Sequence, residues 1–288
     1  MNASFTIATD VRSIASDMFA TVEYPQPLRA RVDEMICAWR AFCALPIALK
    51  QQFGYTADTS FSGSGYELKL DKATGFDLKE NFHVGRDKRV FLYGEAARIG
   101  APEMKAFLDA AMAVYEELDP QILRVAEAIE ETYQVSGLAK DVELMLECLI
   151  IRLLHYFESG DEHAVLGDPH CDKGVFTGHL YESHPGVERL TKEGQWVPMD
   201  VSLGSAVFFP GMTLQNRAKC RIHAPCHRIV ANEDTARQGR WSSVCFTNAA
   251  NTRHYDKGRV GRAQGLPPGF NYLTTSEEFD KLFADQLH

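Results

Sequence analysis

The sequence has few of the features that mark a membrane, secreted or nucleic-acid-binding protein. No apolar run approaches the roughly 18 residues that a membrane-spanning helix needs. The first five residues lack the basic and apolar regions of a signal peptide. Basic residues number 30 against 39 acidic ones, for a net charge of −9, whereas a nucleic-acid surface requires a basic patch. We therefore expect neither a membrane nor a nucleic-acid partner.

Paired cysteines are also missing. The seven cysteines are scattered, odd in number and without a C-x-x-C spacing, so we expect free thiols and a cytoplasmic protein. A hydrophobic content of 45% and a charged content of 24% are ordinary for a globular chain. We predict an N-terminal helical and loop region over 1–100 and a core over 101–288, together forming one compact unit. Nothing in the sequence indicates an oligomeric state.

Helical periodicity dominates the first half of the chain. Apolar residues recur at spacings of three and four in several stretches, of which the second is expected to break at Pro46 and the third to kink or split at Pro120. The stretch 54–100 is rich in Gly, Thr, Ser and Asp, and we expect loops with one or two strands there, as a surface connector or as a wall of a substrate mouth. The predicted helical stretches are 11–18, 28–53, 102–137 and 141–149.

The pattern changes at Ile150. Short β-rich runs separated by turn residues follow, which is typical of a sandwich or jelly roll. The tail returns to a helical pattern over 276–287, with Ser276 as the expected N-cap. The predicted strands are 151–157, 175–181, 196–201, 206–209, 227–230 and 241–247.

The motif His170-Cys171-Asp172 carries the first chemical signal. In an extended strand, residues i and i+2 point to the same face, so His170 and Asp172 can direct an imidazole and a carboxylate at one point. A second imidazole from a distant strand would complete two His and one carboxylate on one side of a metal. That ligand set, with open coordination positions, is diagnostic of non-haem Fe(II) oxygenases.

Two further motifs extend the signal into a family resemblance. His227 begins an H-R-I-V motif 57 residues beyond His170, and Arg240 begins an R-x-S motif 13 residues further on. The chain resembles the isopenicillin N synthase-like branch of the Fe(II)/2-oxoglutarate-dependent dioxygenases, which has H-x-D, H-R-V and R-x-S in this order. Residues 174–182 and 204–212 resemble its strands too. The second spacing is longer than in the family, which we assign to a longer turn at 232–235.

The resemblance implies a fold, cofactors and site residues. The fold is α+β with a mainly β core, a double-stranded β-helix (jelly roll) with N-terminal and flanking helices. His170, Asp172 and His227 would be catalytic as the ligands of Fe(II), with 2-oxoglutarate and O₂ as cosubstrates. Arg240 and Ser242 would grip the far carboxylate of 2-oxoglutarate, because a guanidinium fork matches a carboxylate bidentately. Tyr156 would help to hold the cosubstrate, unless it is a plain core residue.

Two residues are rivals for these roles. His223 could replace His227 as the distal ligand, but it lacks the H-R-V-like context. Arg237 could replace Arg240, since it lies at the more usual distance from the ligand, but it lacks a serine two residues on. One position departs from the family, because Leu154 stands where an Asn is frequent.

Three functions follow as hypotheses. The first is a 2-oxoglutarate oxygenase that hydroxylates a small molecule, or carries out a related C–H oxidation, with release of succinate and CO₂. The second is an oxidase of the same fold that uses no 2-oxoglutarate, which Leu154 keeps open. The third is a non-catalytic metal-binding jelly roll. The full set of ligand-like and carboxylate-binding residues argues against the third.

Overall fold

The computed structural model describes residues 9–56, 63–70, 78–199, 201–202 and 204–252. The helices of this part of the chain are α1 (Ile14–Asp17), α2 (Gln26–Cys43), α3 (Ile47–Lys50), α4 (Arg89–Ile99), α5 (Pro102–Tyr133), α6 (Leu138–Glu143), α7 (Met212–Arg217) and α8 (Glu233–Gln238). The strands are β1 (Ala20–Glu23), β2 (Gly65–Lys69), β3 (Lys79–Gly85), β4 (Ile150–Tyr156), β5 (Val165–His170), β6 (Phe176–Glu182), β7 (Val187–Leu190), β8 (Trp196–Pro198), β9 (Ser205–Pro210), β10 (His227–Val230) and β11 (Arg240–Thr247).

The strands form two antiparallel sheets. The larger has the order β1-β9-β6-β11-β4-β3-β2, and the smaller has the order β5-β10-β7-β8. The predicted α+β fold, a jelly roll with a mainly β core and flanking helices, is confirmed. The predicted helix at 276–287 lies outside the described residues. No helix among the described residues is long and apolar enough to cross a membrane.

Side chains along the strands of the larger sheet point alternately to its two faces and form a separate apolar layer on each. Ile151 and Leu153 of β4 point to the outer face, where they join the core formed with the helices. Leu154 and Tyr156 point to the inner face, where they pack against Ile229 and other residues of the smaller sheet. The period of two in a strand thus gives one face to the helical layer and the other to the interior between the sheets.

The helical layer is held by a stripe of buried residues along α5. The stripe recurs at three and four residues from Met104 to Ile129 and packs against α2. The hydroxyl of Tyr115 accepts the backbone N–H of Ile151 at 2.9 Å, which ties α5 to β4. Pro120 does not split the helix, which runs from Pro102 to Tyr133 without a break. Leu118 and Ile122 are fully buried on either side of it, and their packing offsets the ~3 kcal/mol that an internal proline costs.

Several elements differ from the prediction. The helix Arg89–Ile99 was missed because only Leu92 and Ala96 of it are buried, which leaves no apolar stripe. The strand Ala20–Glu23 was missed because two buried residues are too few to show a period. The helix predicted at 141–149 is instead Leu138–Glu143, followed by a single 3₁₀ turn. The break at Pro46 and the two strands within 54–100 are confirmed.

Candidate metal centre

Strand pairing brings two histidines together at one end of the smaller sheet. His170, the last residue of β5, is the register partner of His227, the first residue of β10. Their ring centroids lie 4.4 Å apart. Asp172 follows two residues after the end of β5, and its Oδ1 is 3.6 Å from Nε2 of His170. One ligand atom from each of the three residues lies within 4.8 Å of the others.

Backbone and side-chain contacts orient all three groups. Nδ1 of His170 lies 2.6 Å from the carbonyl oxygen of Asp168, and Nδ1 of His227 lies 3.2 Å from that of Pro225. Both rings can therefore donate through Nδ1 and keep Nε2 as the metal-facing nitrogen. The hydroxyl of Thr177 donates to Oδ2 of Asp172 at 2.6 Å. Hydrogen bonds of this kind around a ligand set fix its tautomers and raise its basicity.

A close backbone contact holds the loop that carries Asp172. The N–H of Met212 donates to the carbonyl of Asp172 at 2.8 Å. A Cβ on Gly211 would stand 2.1 Å from the carbonyl oxygen of Gly174, so no larger residue fits without moving this loop. The glycine that follows β9 therefore allows the start of α7 to lie directly against the ligand loop.

Burial sets the protonation states of the ligands. It lowers the pKa of His227 to about 4, with a further contribution from the charge of His170. His227 is therefore neutral near pH 7, as a metal ligand must be. Burial alone would raise the pKa of Asp172, but His227, His170 and Thr177 outweigh it and lower that pKa. The carboxylate is thus ionised and available to a cation.

The two rival residues lie elsewhere. His223 is half-buried, and it belongs to neither of the metal-sized clusters found among the described residues. Arg237 lies on α8, where it is exposed and pairs with Glu233. The predicted longer turn at 232–235 is in fact the start of this helix, which Asn232 caps through the backbone N–H of Thr235. The helix accounts for the long spacing between the second and third motifs.

The predicted carboxylate-binding residues lie on the inner face of the larger sheet. Arg240 and Ser242 alternate on β11, and Arg240 is the register partner of Tyr156 on β4. All three are buried. The guanidinium of Arg240 is fully buried and forms an ion pair with Glu182, and its Nε donates to the carbonyl of His184 at 3.2 Å. Its Nη1 is buried and has no hydrogen-bond partner among the described residues.

The sequence motifs assign no role to His179, which the structure places beside the Glu182–Arg240 ion pair. It lies on β6, 3% exposed, and its Nε2 is 4.0 Å from the carboxylate of Glu182. That nitrogen is buried without a hydrogen-bond partner in the described part of the chain. Burial lowers the pKa of His179 well below its usual value, and the charges of Arg240 and His227 add to this effect. The available sequence signal was the position of His179, which lies two residues after Thr177 and therefore on the same face of β6.

These observations fit the groups that the motifs imply. Two imidazoles and one carboxylate gathered on one side leave the other coordination positions of an iron ion open. Beyond them, Nη1 of Arg240 and Nε2 of His179 are two buried polar atoms that still need a partner. A carboxylate of a dicarboxylic cosubstrate can satisfy both.

A second cluster of possible metal ligands is a hydrogen-bond network in which the carboxylate already accepts three hydrogen bonds. It comprises Cys43, Glu80 and His155, on the helical side of the larger sheet. The carboxylate of Glu80 accepts from Lys50 at 2.5 Å, from Tyr66 at 2.8 Å and from Nδ1 of His155 at 2.9 Å. Because these donors already occupy the carboxylate, the cluster is suited to holding the helices on the sheet.

Comparison with known proteins agrees with the motifs. A family model described as the 2OG-Fe(II) oxygenase superfamily matches residues 147–249. This segment belongs to the 2OG-Fe(II) oxygenase superfamily. The match spans β4 to β11 and contains every predicted site residue. The match identifies this segment as an oxidoreductase domain that uses Fe(II) as cofactor and 2-oxoglutarate and O₂ as cosubstrates. No curated protein matches the chain.

Solved structures share the fold of this superfamily domain. A protein from Caulobacter crescentus, described as of the 2OG-Fe(II) oxygenase family, is 23% identical with a TM-score of 0.67, over 95% of this chain and 91% of that one. A full-length Neurospora crassa protein, in complex with alpha-KG and 5-formyluracil, is 17% identical with a TM-score of 0.68, over 95% and 89%. The rice dioxygenase for auxin oxidation is 22% identical with a TM-score of 0.63, over 93% and 85%.

Proposed function

We propose that His170, Asp172 and His227 hold one Fe(II), at which the protein oxidises a C–H bond of a small molecule. 2-Oxoglutarate and O₂ are consumed, and succinate and CO₂ are released. The observation that carries the proposal is the gathering of the three ligand atoms within 4.8 Å, with the Nδ1 atoms of both imidazoles turned to backbone carbonyls. The bound iron supplies the activation of O₂, while the chain supplies orientation and a dry interior.

The cosubstrate lies between this centre and Arg240. Its far carboxylate accepts a hydrogen bond from the free Nη1 of Arg240, with Ser242 and His179 nearby. Tyr156 lies beside Arg240 on the neighbouring strand of the same face. Hydrogen bonds to charged groups contribute about 1.5–3 kcal/mol each. Arg240 is therefore the residue on which the affinity for the cosubstrate depends most.

The substrate is a small molecule. Two proteins that share this fold are described with small compounds, 5-formyluracil for the Neurospora crassa protein and auxin for the rice enzyme. The space beside the ligands is bounded by side chains of the inner face, such as Phe209, whose ring lies 4.9 Å from that of His227. An interior of this kind favours a compact, partly apolar compound.

The proposal is tested by measuring oxygen uptake and succinate release in the same reaction. The Fe(II)-loaded protein is incubated with 2-oxoglutarate and O₂, with the Asp172→Ala variant as the control. We expect slow succinate release that depends on iron and is lost in the variant. Oxygen uptake without succinate would instead support an oxidase that does not use 2-oxoglutarate, a hypothesis that the Glu182–Arg240 ion pair favours. If neither oxygen uptake nor succinate release is detected, the third hypothesis, a non-catalytic metal-binding protein, is favoured.

A further inference from the structure

Arg152 lies on the inner face of the larger sheet. It alternates with Leu154 and Tyr156 on β4, and its register partners are Val244 on β11 and His83 on β3. Because alternate residues of a strand share a face, its side chain points into the same interior as the candidate metal ligands.

The guanidinium of Arg152 has no acidic partner among the described residues. Its Nε is buried without an acceptor, although the side chain as a whole is only half-buried. A buried charge without a partner is costly, so a guanidinium kept in this environment is suited to an acceptor that comes from outside the chain. Four other arginines of low exposure have carboxylate partners, in the pairs Arg240–Glu182, Arg86–Asp119, Arg189–Asp17 and Arg217–Asp141.

An aromatic ring contacts this guanidinium. Its carbon lies 4.7 Å from the centre of the Phe246 ring. The neighbouring His83 packs edge-on against Tyr55, with ring centroids 4.9 Å apart. Burial lowers the pKa of Arg152, and of the charges that oppose this effect Asp172 acts most strongly. The cation therefore lies against the Phe246 ring, on the face of the sheet that carries the candidate site and within the electrostatic reach of Asp172.

Arg152 and Arg240 stand too far apart along the sheet to grip one carboxylate group. Arg152 pairs with Val244, which is four residues from Arg240 on β11, so the backbone positions of the two arginines are separated by about 13 Å at ~3.3 Å per residue. Two arginines at this separation serve two different carboxylates.

We infer that Arg152 binds the carboxylate of the substrate, which makes the substrate a small organic acid with a planar or apolar body. The flat guanidinium grips the carboxylate bidentately, and the body of the acid lies against Phe246 and Tyr55. A C–H bond near the acid group then faces the metal ligands. The inference rests on the proposed function and adds the chemical class of its substrate.

The test compares acids with their amides by binding rather than by turnover. Zn(II)-loaded protein with saturating 2-oxoglutarate is titrated with acetate, benzoate and phenylacetate, and with acetamide, benzamide and phenylacetamide, by calorimetry and ligand-detected NMR. We expect at least one acid to bind about ten- to a hundred-fold more tightly than its amide. Arg152→Gln should remove the preference, Arg152→Lys should keep part of it, and the control Arg237→Gln should leave it intact.

Each outcome bears on the inference. Equal binding of acids and amides to the wild-type protein, or no binding of any acid up to millimolar concentrations, overturns it without any variant. A preference that survives in Arg152→Gln also overturns it, as does a loss of 2-oxoglutarate affinity in Arg152→Gln with the acid preference unchanged. The two measurements distinguish a failure of the inference from a failure of the proposed function. If acids and amides bind equally while succinate release is normal, only the inference is rejected. If acids bind more tightly than amides but no succinate is released, only the proposed function is rejected.

Discussion

Replacing Glu182 by Gln tests the arrangement around Arg240. In the wild-type structure the Glu182 carboxylate is 2% exposed and the Arg240 side chain is 0% exposed. In the proposed complex, the far carboxylate of 2-oxoglutarate therefore shares a guanidinium that the Glu182 carboxylate already holds. Glu182→Gln removes that competing charge while keeping a group of the same size that can still accept the N–H of Val201, which lies 2.8 Å from Oε1 in the wild-type protein.

The expected effect has two parts. Without cosubstrate the variant loses about 3–5 kcal/mol of stability, because a buried guanidinium is left without its counter-charge. With cosubstrate it regains stability, because 2-oxoglutarate supplies the missing carboxylate. If the competition costs the wild-type protein about 1.5–3 kcal/mol, the variant binds 2-oxoglutarate about ten- to a hundred-fold more tightly.

The assay is denaturant unfolding of the Zn(II)-loaded protein with and without 2-oxoglutarate. Each tenfold gain in affinity adds about 1.4 kcal/mol to the stabilisation by saturating ligand. Glu188→Gln is the matched control, because Glu188 pairs with Arg228 at 2.8 Å on the neighbouring sheet. Weaker or unchanged 2-oxoglutarate binding in Glu182→Gln would refute the reasoning, since Arg240 would then not be shared.

Three further predictions concern the ligands and the helical side of the sheet. His227→Ala should lose bound iron by elemental analysis, while His223→Ala should keep it; the opposite result would move the ligand role to His223. Thr177→Val should weaken metal binding about 10–100-fold in a chelator competition, because Asp172 loses its hydrogen bond. The same metal affinity in the variant and the wild-type protein would contradict this role of Thr177. Burial opposes ionisation of Glu80, but His155, Lys50 and Tyr66 lower its pKa from 4.5 to about 2. About 3 kcal/mol of stability should therefore be present above pH 4.5 and disappear as the pH falls toward 2, and denaturant unfolding of Glu80→Gln should lack this part of the pH dependence.

The clustering of the candidate ligands could be predicted because it depends on short-range patterns. His170 and Asp172 lie two residues apart, and the motif beginning at His227 resembles a family pattern. Strand pairing then brings the two histidines together as register partners. The long helix was equally predictable, since its apolar stripe recurs from Met104 to Ile129 within a helix of 32 residues.

The partner of Arg240 could not be predicted, because a strand irregularity decides it. Glu182 lies three residues after His179, so simple alternation would place the two side chains on opposite faces of β6. The register shifts between Ser243 and Val244, which pairs Glu182 with Ser242 and brings it to the inner face. No local sequence pattern reveals such a shift, and the Glu182–Arg240 contact spans 58 residues of chain.

The unpaired state of Arg152 was hidden for a related reason. A sequence shows that an arginine alternates with Leu154 and Tyr156, but not which acidic residues come within reach of it. Among the described residues the carboxylates near the inner face are taken up elsewhere, since Asp172 accepts from Thr177 and Glu182 pairs with Arg240. Only the assembled sheet makes the contrast between the two arginines visible.

An anaerobic titration of the Fe(II)-loaded protein with 2-oxoglutarate tests the central claim most directly. The chelate of 2-oxoglutarate with iron is followed by its weak visible charge-transfer band, in the wild-type protein and in Arg240→Lys. We expect a band that saturates at one equivalent, with a midpoint that rises about ten- to a hundred-fold in the variant, because Lys keeps the charge but loses the planar fork. Absence of the band in the wild-type protein, or an unchanged midpoint in Arg240→Lys, would contradict the account.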